Sequence, residues 1–445
     1  MESVPPPLSR LLSMLRTIDL RGSSDLDAAL PRADFSIDSA LPVVAAICDD
    51  VKARGAAAIT ELSAKFDHVI PASLRVPIEV IDAAVAGLEP KLRDAIELAI
   101  TRRRQVCEQT ELAPGNRSIM VAPGARVDTR EVPMARVGLY VPGGLAPLAS
   151  SVVHNAVPAQ VASVEAIAIA SPPQPEFDGW PHPTILAVCG LLGVDEVYAV
   201  GGAQAIAMFA YGVPGVCQPV DLVTGPGNIY VAAAKRHLQG VVGIDSEAGP
   251  TEIAILGDKT ALPYYAAADL VSQAEHDPLA AAVLITDDIY LAERVENEVM
   301  KMVKAHVERE RLETSLSGPQ SAIVLVRDME QGLEVANAYG AEHLEVMTAD
   351  AAELASRVRN AGAIFIGPYS PVSLGDYSAG STHVLPTGGT ARFASGLTVR
   401  AFTKQVHVIS YDAAALDEVA DDVIAFALAE HLPGHAQAVS VRQGR

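Results

Sequence analysis

An α/β fold built from two parallel-sheet blocks is predicted by three observations in this 445-residue sequence. Short β-branched apolar runs alternate with Ala-rich helical stretches from residue 136 onward. The alternation occurs in two successive series, and glycine clusters stand directly after several runs of the first. Strands that take turns with helices of this length pair in parallel, because each crossover helix returns the chain to the same edge of the sheet.

The N-terminal segment 1–37 begins MESVPPPLSRLLSMLRTIDLRG, with an acid at position 2 and prolines where a secretory leader needs an apolar run. Between about 38 and 112, LPVVAAICDDVKARGAAAITELSAKF and PKLRDAIELAITRRRQVCEQTEL place apolar residues three and four apart, so helices are expected there. The first series is RVGLYV (136–141), VEAIAIA (164–170), EVYAV (196–200) and DLVT (221–224). A second follows with TEIAILGD (251–258), AAVLITDD (281–288), SAIVLVRD (321–328), LEVMT (344–348) and GAIFIG (362–367), separated by helical stretches such as 289–311 and 350–360. The Gly- and Pro-rich stretch 367–400 reads as loop, and 412–431 as helix.

Half of the residues are hydrophobic and only 20% are charged, which suits a chain with a sizeable core and excludes intrinsic disorder. A net charge of −21 repels nucleic-acid phosphates and anionic lipid, so neither nucleic acid nor membrane is an expected partner. No apolar stretch approaches the roughly 18 residues of a membrane span. Cysteines 48, 107, 189 and 217 form no CxxC pair and are too scattered for a disulfide framework. That usage suits a reducing compartment, so the cytoplasm is the expected location.

VPGG (141–144), VGGAQAIA (200–207) and TGPGN (224–228) each follow an expected strand. At the carboxyl ends of parallel strands, glycines let backbone N–H groups approach a phosphate, and the next helix offers its positive end. None of the three is a GxGxxG followed by an acid about 20 positions on, and glycines that only cap strands and start helices fit the spacing equally well.

DLVSQAEHDP (269–278) sets Gln273 and His276 three apart on an expected helix, hence on one face, with an amide oxygen and an imidazole able to converge on one cation. GDYSAGSTHVLP (375–386) adds Asp376 and His383 in a loop, and AEHLPGH (429–435) adds Glu430, His431 and His435 at a helix end. A donor set of N and O atoms without thiolate favours zinc, manganese or cobalt. In AEHLEV (341–346), Glu342 and His343 offer two adjacent proton acceptors of different basicity, useful for a reaction with more than one deprotonation. A surface or core histidine and an exposed Glu-His pair are the alternatives at these positions.

Taken together, GLYVPGG, VGGAQAIA, TGPGN, DSEAGPTE, DLVSQAEHDP, GAEHLEV, GDYSAGSTHVLPT and AEHLPGH, in that order from about 138 to 435, resemble the histidinol dehydrogenase family. The resemblance implies oxidation of L-histidinol to L-histidine through L-histidinaldehyde with two NAD molecules, the final step of histidine biosynthesis. It implies that Gln273, His276, Asp376 and His435 bind one zinc ion that holds the substrate. By the same carry-over, Thr251, His383 and Glu430 complete the substrate pocket, Glu342 and His343 are the acid–base pair, and Tyr140, Gln204 and Asn228 line the NAD crevice.

The implied fold is a homodimer of two incomplete Rossmann-like parallel-sheet domains with small helical N- and C-terminal domains. On this chain the NAD domain is expected at 136–250 and the metal and substrate domain at 38–135 with 251–380. A C-terminal segment, 381–445, is expected to reach into the partner's active site. Two departures are visible: Thr251 where many relatives have serine, which keeps the hydroxyl, and Thr382 where asparagine is common. A zinc hydrolase using Glu342 and a non-catalytic binding protein are the competing classes; the first leaves the glycine loops without a task and the second has no need of a base pair beside a metal.

Overall fold

A computed structural model describes residues 13–23, 30–33, 36–112, 115–143, 146–247 and 249–444. Gly144 of the VPGG cluster, Ala248 of DSEAGPTE and the first twelve residues lie outside the described residues.

The first element of the described residues is a short strand, β1 (Arg16–Asp19), followed by four helices: α1 (Leu41–Arg54), α2 (Ala56–Phe66), α3 (Ile78–Ala86) and α4 (Pro90–Val106). A hairpin of β2 (Arg117–Ala122) and β3 (Ala125–Pro133) leads into the first series. There β4 (Arg136–Tyr140), α5 (Ser150–Val161), β5 (Ala166–Ser171), α6 (Pro183–Leu191), β6 (Val197–Ala199), α7 (Gly202–Tyr211), β7 (Leu222–Thr224), α8 (Ile229–Leu238) and β8 (Gly243–Ile244) alternate strictly. Their strands form one parallel sheet in the order β6-β5-β4-β7-β8.

The second series runs β9 (Glu252–Gly257), α9 (Pro263–Ala274), β10 (Ala281–Thr286), α10 (Ile289–Ala305), α11 (Arg309–Ser317), β11 (Ala322–Leu325), α12 (Met329–Tyr339), β12 (His343–Met347), α13 (Ala351–Ser356) and β13 (Ala363–Ile366). It makes a second parallel sheet, β1-β11-β10-β9-β12-β13, with β1 on its edge. A short helix, α14 (Val372–Tyr377), interrupts the stretch expected to be loop. After it β14 (Thr403–Tyr411) pairs antiparallel with β3, and α15 (Ala413–Ala429) and α16 (Pro433–Ser440) close the chain.

Runs such as AAVLIT in β10 and AIVL in β11 are buried at every position, because helices cover both faces of a parallel sheet. Each sheet therefore separates two apolar cores. One face of the first sheet packs Val44, Ile47 and Ile59 of α1 and α2 against Ala205 and Phe209 of α7. The other packs Ile81 and Ile96 of α3 and α4 against Val137, Leu139 and Ile185. The helical lead-in at 38–112, assigned from sequence to the same domain as 251–380, thus packs on the first sheet instead.

Two further boundaries move for the same reason. Residues 16–19 of the N-terminal segment are a strand of the second sheet. Val384, Leu397, Val399 and Phe402, placed by sequence in a segment directed at a partner, enter the core of their own first domain. Periodicity tells which face of an element is buried but not against what, so these assignments needed the folded chain.

Both sheets have a switch point where the strand order reverses: between β4 and β7 in the first, between β9 and β12 in the second. A parallel sheet opens a crevice at such a point, because the two connections leave toward opposite faces.

Candidate active site

Most of the candidate residues gather where the carboxyl edge of the first sheet meets the amino edge of the second. Thr251 and Glu342 directly precede β9 and β12, which are neighbours in register, with His343 opposite Ile253. The backbone of one residue, Glu252, orients both candidate bases. The N–H of Glu252 donates to Glu342 Oε2 at 2.9 Å, and its carbonyl accepts from His343 Nδ1 at 3.2 Å. A carbonyl only accepts, so the His343 proton sits on Nδ1 and the lone pair of Nε2 is left for chemistry.

Glu342 Oε2 also accepts from Thr251 Oγ1 at 2.5 Å, and it lies 3.7 Å from His343 Nδ1. Burial pushes the Glu342 carboxyl up to about 8, against the downward pull of its two donors. The same burial pushes His343 down to about 4, so its imidazole is neutral at neutral pH.

Thr251 Oγ1 in turn accepts from Gln273 Nε2 at 2.7 Å. Gln273 is buried near the end of α9, and with its amide nitrogen committed its Oε1 accepts no hydrogen bond among the described residues. His276 lies in the exposed turn just past α9 rather than on the helix, its N–H still bonded to the Gln273 carbonyl at 3.3 Å. Although the residue is exposed, the protein packed around its imidazole desolvates it and lowers the His276 pKa; Asp376, His343, Glu275 and His383 are the charges that act on it.

Asp376, on α14, pairs with His383 Nδ1 at 3.6 Å. Burial raises the Asp376 carboxyl pKa, but the His383 hydrogen bond together with the charges of His383, His343 and His276 outweighs it, and the net shift is downward. His383 Nε2 meets Ser151 Oγ at 3.0 Å, and its ring stacks on His154 at 4.2 Å between centroids. His154 Nε2 in turn donates to the Asp376 backbone carbonyl at 2.9 Å. Ser151 and His154 belong to α5, so these contacts join the two sheets across the site. Neither was singled out from sequence; a histidine in an otherwise apolar helix, SSVVHNAVPA, was the available signal.

Tyr140, Gln204 and Asn228 sit at the carboxyl edge of the first sheet. Tyr140 ends β4 beside the switch point, and its hydroxyl accepts from the Gly202 N–H at 3.1 Å. Gln204 is buried at the start of α7. Asn228 caps α8 by accepting from the N–H groups of Tyr230 and Val231 at 3.1 and 3.2 Å, which leaves its amide nitrogen available.

Glu430 and His435 do not join this cluster within the chain. Both are exposed, and neither makes a hydrogen bond or ion pair with the other candidates among the described residues. Accordingly no three His, Cys, Asp or Glu side chains among the described residues converge to hold a metal ion. The donor chemistry nevertheless fits a borderline divalent cation: an amide oxygen freed by the Thr251 bond, an imidazole and a low-pKa carboxylate, one donor short of a tetrahedral set. A concavity of about 520 Å³, lined by Arg75, Arg136, Glu196 and Tyr198, lies at the opposite end of the first sheet and shares none of these residues.

Residues 30–443 match the family model described as histidinol dehydrogenase. The chain is 63% identical over 439 residues to histidinol dehydrogenase of Cutibacterium acnes, covering 97% of this chain and 100% of the relative. It is 60% identical over 431 residues to that of Thermobifida fusca, covering 97% and 98%. The crystal structure of histidinol dehydrogenase from Elizabethkingia anophelis superposes with a TM-score of 0.90 at 30% identity, covering 97% of this chain and 98% of that one. This chain therefore belongs to the histidinol dehydrogenase family, oxidoreductases that carry out the final step of histidine biosynthesis.

Proposed function

We propose that the protein oxidises L-histidinol to L-histidine through L-histidinaldehyde with NAD as the acceptor of both hydrides, holding the substrate on a zinc ion. The observation that carries this reading is the pair of bases held by the backbone N–H and C=O of the one residue Glu252. Alcohol oxidation needs a base for the hydroxyl proton, and neutral His343, with Nε2 free, is suited to it near pH 7. Its Nδ1–H bond to the Glu252 carbonyl steadies the imidazolium that forms. The second oxidation starts from the hydrated aldehyde, and Glu342 takes a proton from the water that adds.

Gln273, His276, Asp376 and His435 would hold the zinc. When bound, that ion is a Lewis acid that anchors the substrate's imidazole and amino nitrogens, a selection no ordinary amino alcohol satisfies. Thr251 keeps the Gln273 oxygen aimed at the site, and His383 steadies the Asp376 carboxylate. Glu430 would close the substrate pocket. Tyr140, Gln204 and Asn228 would present the nicotinamide dinucleotide at the carboxyl edge of β4, where the positive ends of α7 and α8 favour its phosphates.

The site is one donor short within a single chain, and this supports a homodimer in which His435 and Glu430 cross to the other subunit. Apolar side chains exposed on the same tail and on the hairpin it pairs with support it too: Ile409 on β14, Val423, Phe426 and Leu428 on α15, and Ile119 and Met120 on β2. Four buried, unpaired cysteines support a cytoplasmic location. No helix of the described residues is long and apolar enough to cross a membrane.

Purified protein supplied with histidinol should form two equivalents of NADH per histidine and hydrolyse neither esters nor amides. Hydrolysis without NADH would replace the dehydrogenase reading with a metallohydrolase.

A further inference from the structure

Glu345 has no task in the chemistry above, yet it is only 1% exposed, in the middle of the second sheet. It stands two residues after His343 on β12, hence on the same face of the strand, toward α9 and α14. Its Oε1 accepts from the N–H of Val372, the first residue of α14, at 3.2 Å. Its Oε2 is buried and meets no hydrogen-bond donor among the described residues. The titratable group it meets is Asp269 of α9, and no Lys, Arg or His forms an ion pair with either carboxyl among the described residues.

Two carboxyl groups that meet in a buried place without a cation are satisfied in one way, by sharing a proton. The Glu345 hydroxyl then donates to Asp269, and the orphaned Oε2 acquires a partner. Burial and the neighbouring Asp269 charge raise Glu345 well above the ordinary carboxyl range; burial pushes Asp269 up to about 6.

The positions of the two partners give this contact a purpose. Asp269 is one helical turn before Gln273 and about two before His276. Val372 is one turn before Asp376. From one point on β12, Glu345 thus grips α9 a turn before Gln273, ahead of the turn that holds His276, and α14 a turn before Asp376.

We propose that Glu345 is a positioning residue, a neutral carboxyl that ties α9 to α14 and so sets the spacing of Gln273 and His276 against Asp376. The proposal rests on the zinc-site reading above and adds to it the element that pre-forms the site. A hydrophobic residue of similar size fills the same volume but makes neither bond. Glutamine makes both, because its amide N–H donates to Asp269 and its carbonyl accepts from Val372.

The test measures zinc affinity of the chelator-treated full-length protein by competition with a chromogenic chelator, beside histidinol kinetics and thermal melting of the zinc-free form. Glu345→Gln should stay within about threefold of wild type in zinc affinity. Glu345→Leu should lose roughly 10–100-fold, the range for partners that orient metal ligands. It should also raise KM for histidinol more than it lowers kcat, while the zinc-free protein melts no lower. Asp269→Leu removes the same tie from the other side and should reproduce the loss, and it decides the matter if Glu345→Leu fails to fold.

Wild-type zinc affinity in both leucine variants would overturn the tie and leave the metal site standing. Wild-type protein that binds no zinc, or His276→Ala that binds it as well as wild type, would overturn the metal site itself.

Discussion

Glu342 and His343 are adjacent in sequence and in space, yet burial drives their titrations in opposite directions, because it penalises the charged form of each. The imidazole, at about 4, is a base throughout the neutral range. The carboxyl, at about 8, becomes a base only as pH rises through that value, so the protonated, inactive form gains as pH falls. Oxidation of histidinaldehyde should therefore show an acid limb assigned to Glu342, and a bound divalent cation should move it to lower pH by favouring the carboxylate. Measured separately, the aldehyde step should fall roughly 10²–10⁴-fold in Glu342→Gln and the alcohol step by a similar factor in His343→Ala. Equal losses of both steps in both variants would refute the division of labour. The thiols belong at this scale too. Burial holds Cys107 and Cys189 up to about 12, far from the reactive thiolate. Both serine variants should turn over at near-normal rates, and a trapped thioester on either would replace water addition with thiohemiacetal chemistry.

Among the elements, the loop after β7 illustrates what a glycine cluster does in this fold. Gly225 has φ of +115°, and a Cβ there would lie 2.1 Å from the Tyr140 carbonyl oxygen. The loop is clamped on both sides of that residue. Its N–H donates to Asp245 Oδ2 at 2.9 Å, and its carbonyl accepts from Lys235 Nζ at 3.0 Å, while Lys235 and Asp245 form a buried ion pair. So this glycine is required by close backbone packing at the switch point, before any phosphate is considered. Gly225→Ala should cost at least about 1–3 kcal/mol of stability from the strained φ alone. It should also raise KM for NAD more than KM for histidinol. Thermal melting and paired KM values check both halves; an unchanged melting temperature would mean that the loop yields more readily than the packing indicates.

At the level of the whole molecule, the decisive feature of the proposed zinc site is that Gln273, His276 and Asp376 come together while His435 stands apart. If His435 crosses a two-fold interface, a dimer has two composite sites. His276→Ala and His435→Ala homodimers should each lose zinc and activity. In a mixed dimer, one site then carries both defects and the other neither. Random exchange should restore about a quarter of wild-type activity, since half of the dimers are mixed and each has one intact site. No recovery after demonstrated subunit exchange would assign His435 to its own chain.

The strands of both series apart from β8, the helical lead-in and the candidate residues were legible in the sequence, because period and turn chemistry are local properties. RVGLYV, TEIAILGD and AAVLITDD became β4, β9 and β10 within a residue or two. The exposed, mixed-polarity strands β2 and β14 were not legible, since a ribbon half open to solvent lacks the apolar run that marks a buried strand. Nor was the role of Glu252, which acts through its backbone and leaves no trace in residue type. Tertiary structure alone decided that the first sheet offers its carboxyl edge and the second its amino edge to the same cleft. Strand direction within each sheet follows from crossover length, but which ends of two sheets face each other depends on the packing between them, here the α5 contacts of Ser151 and His154 with His383 and Asp376.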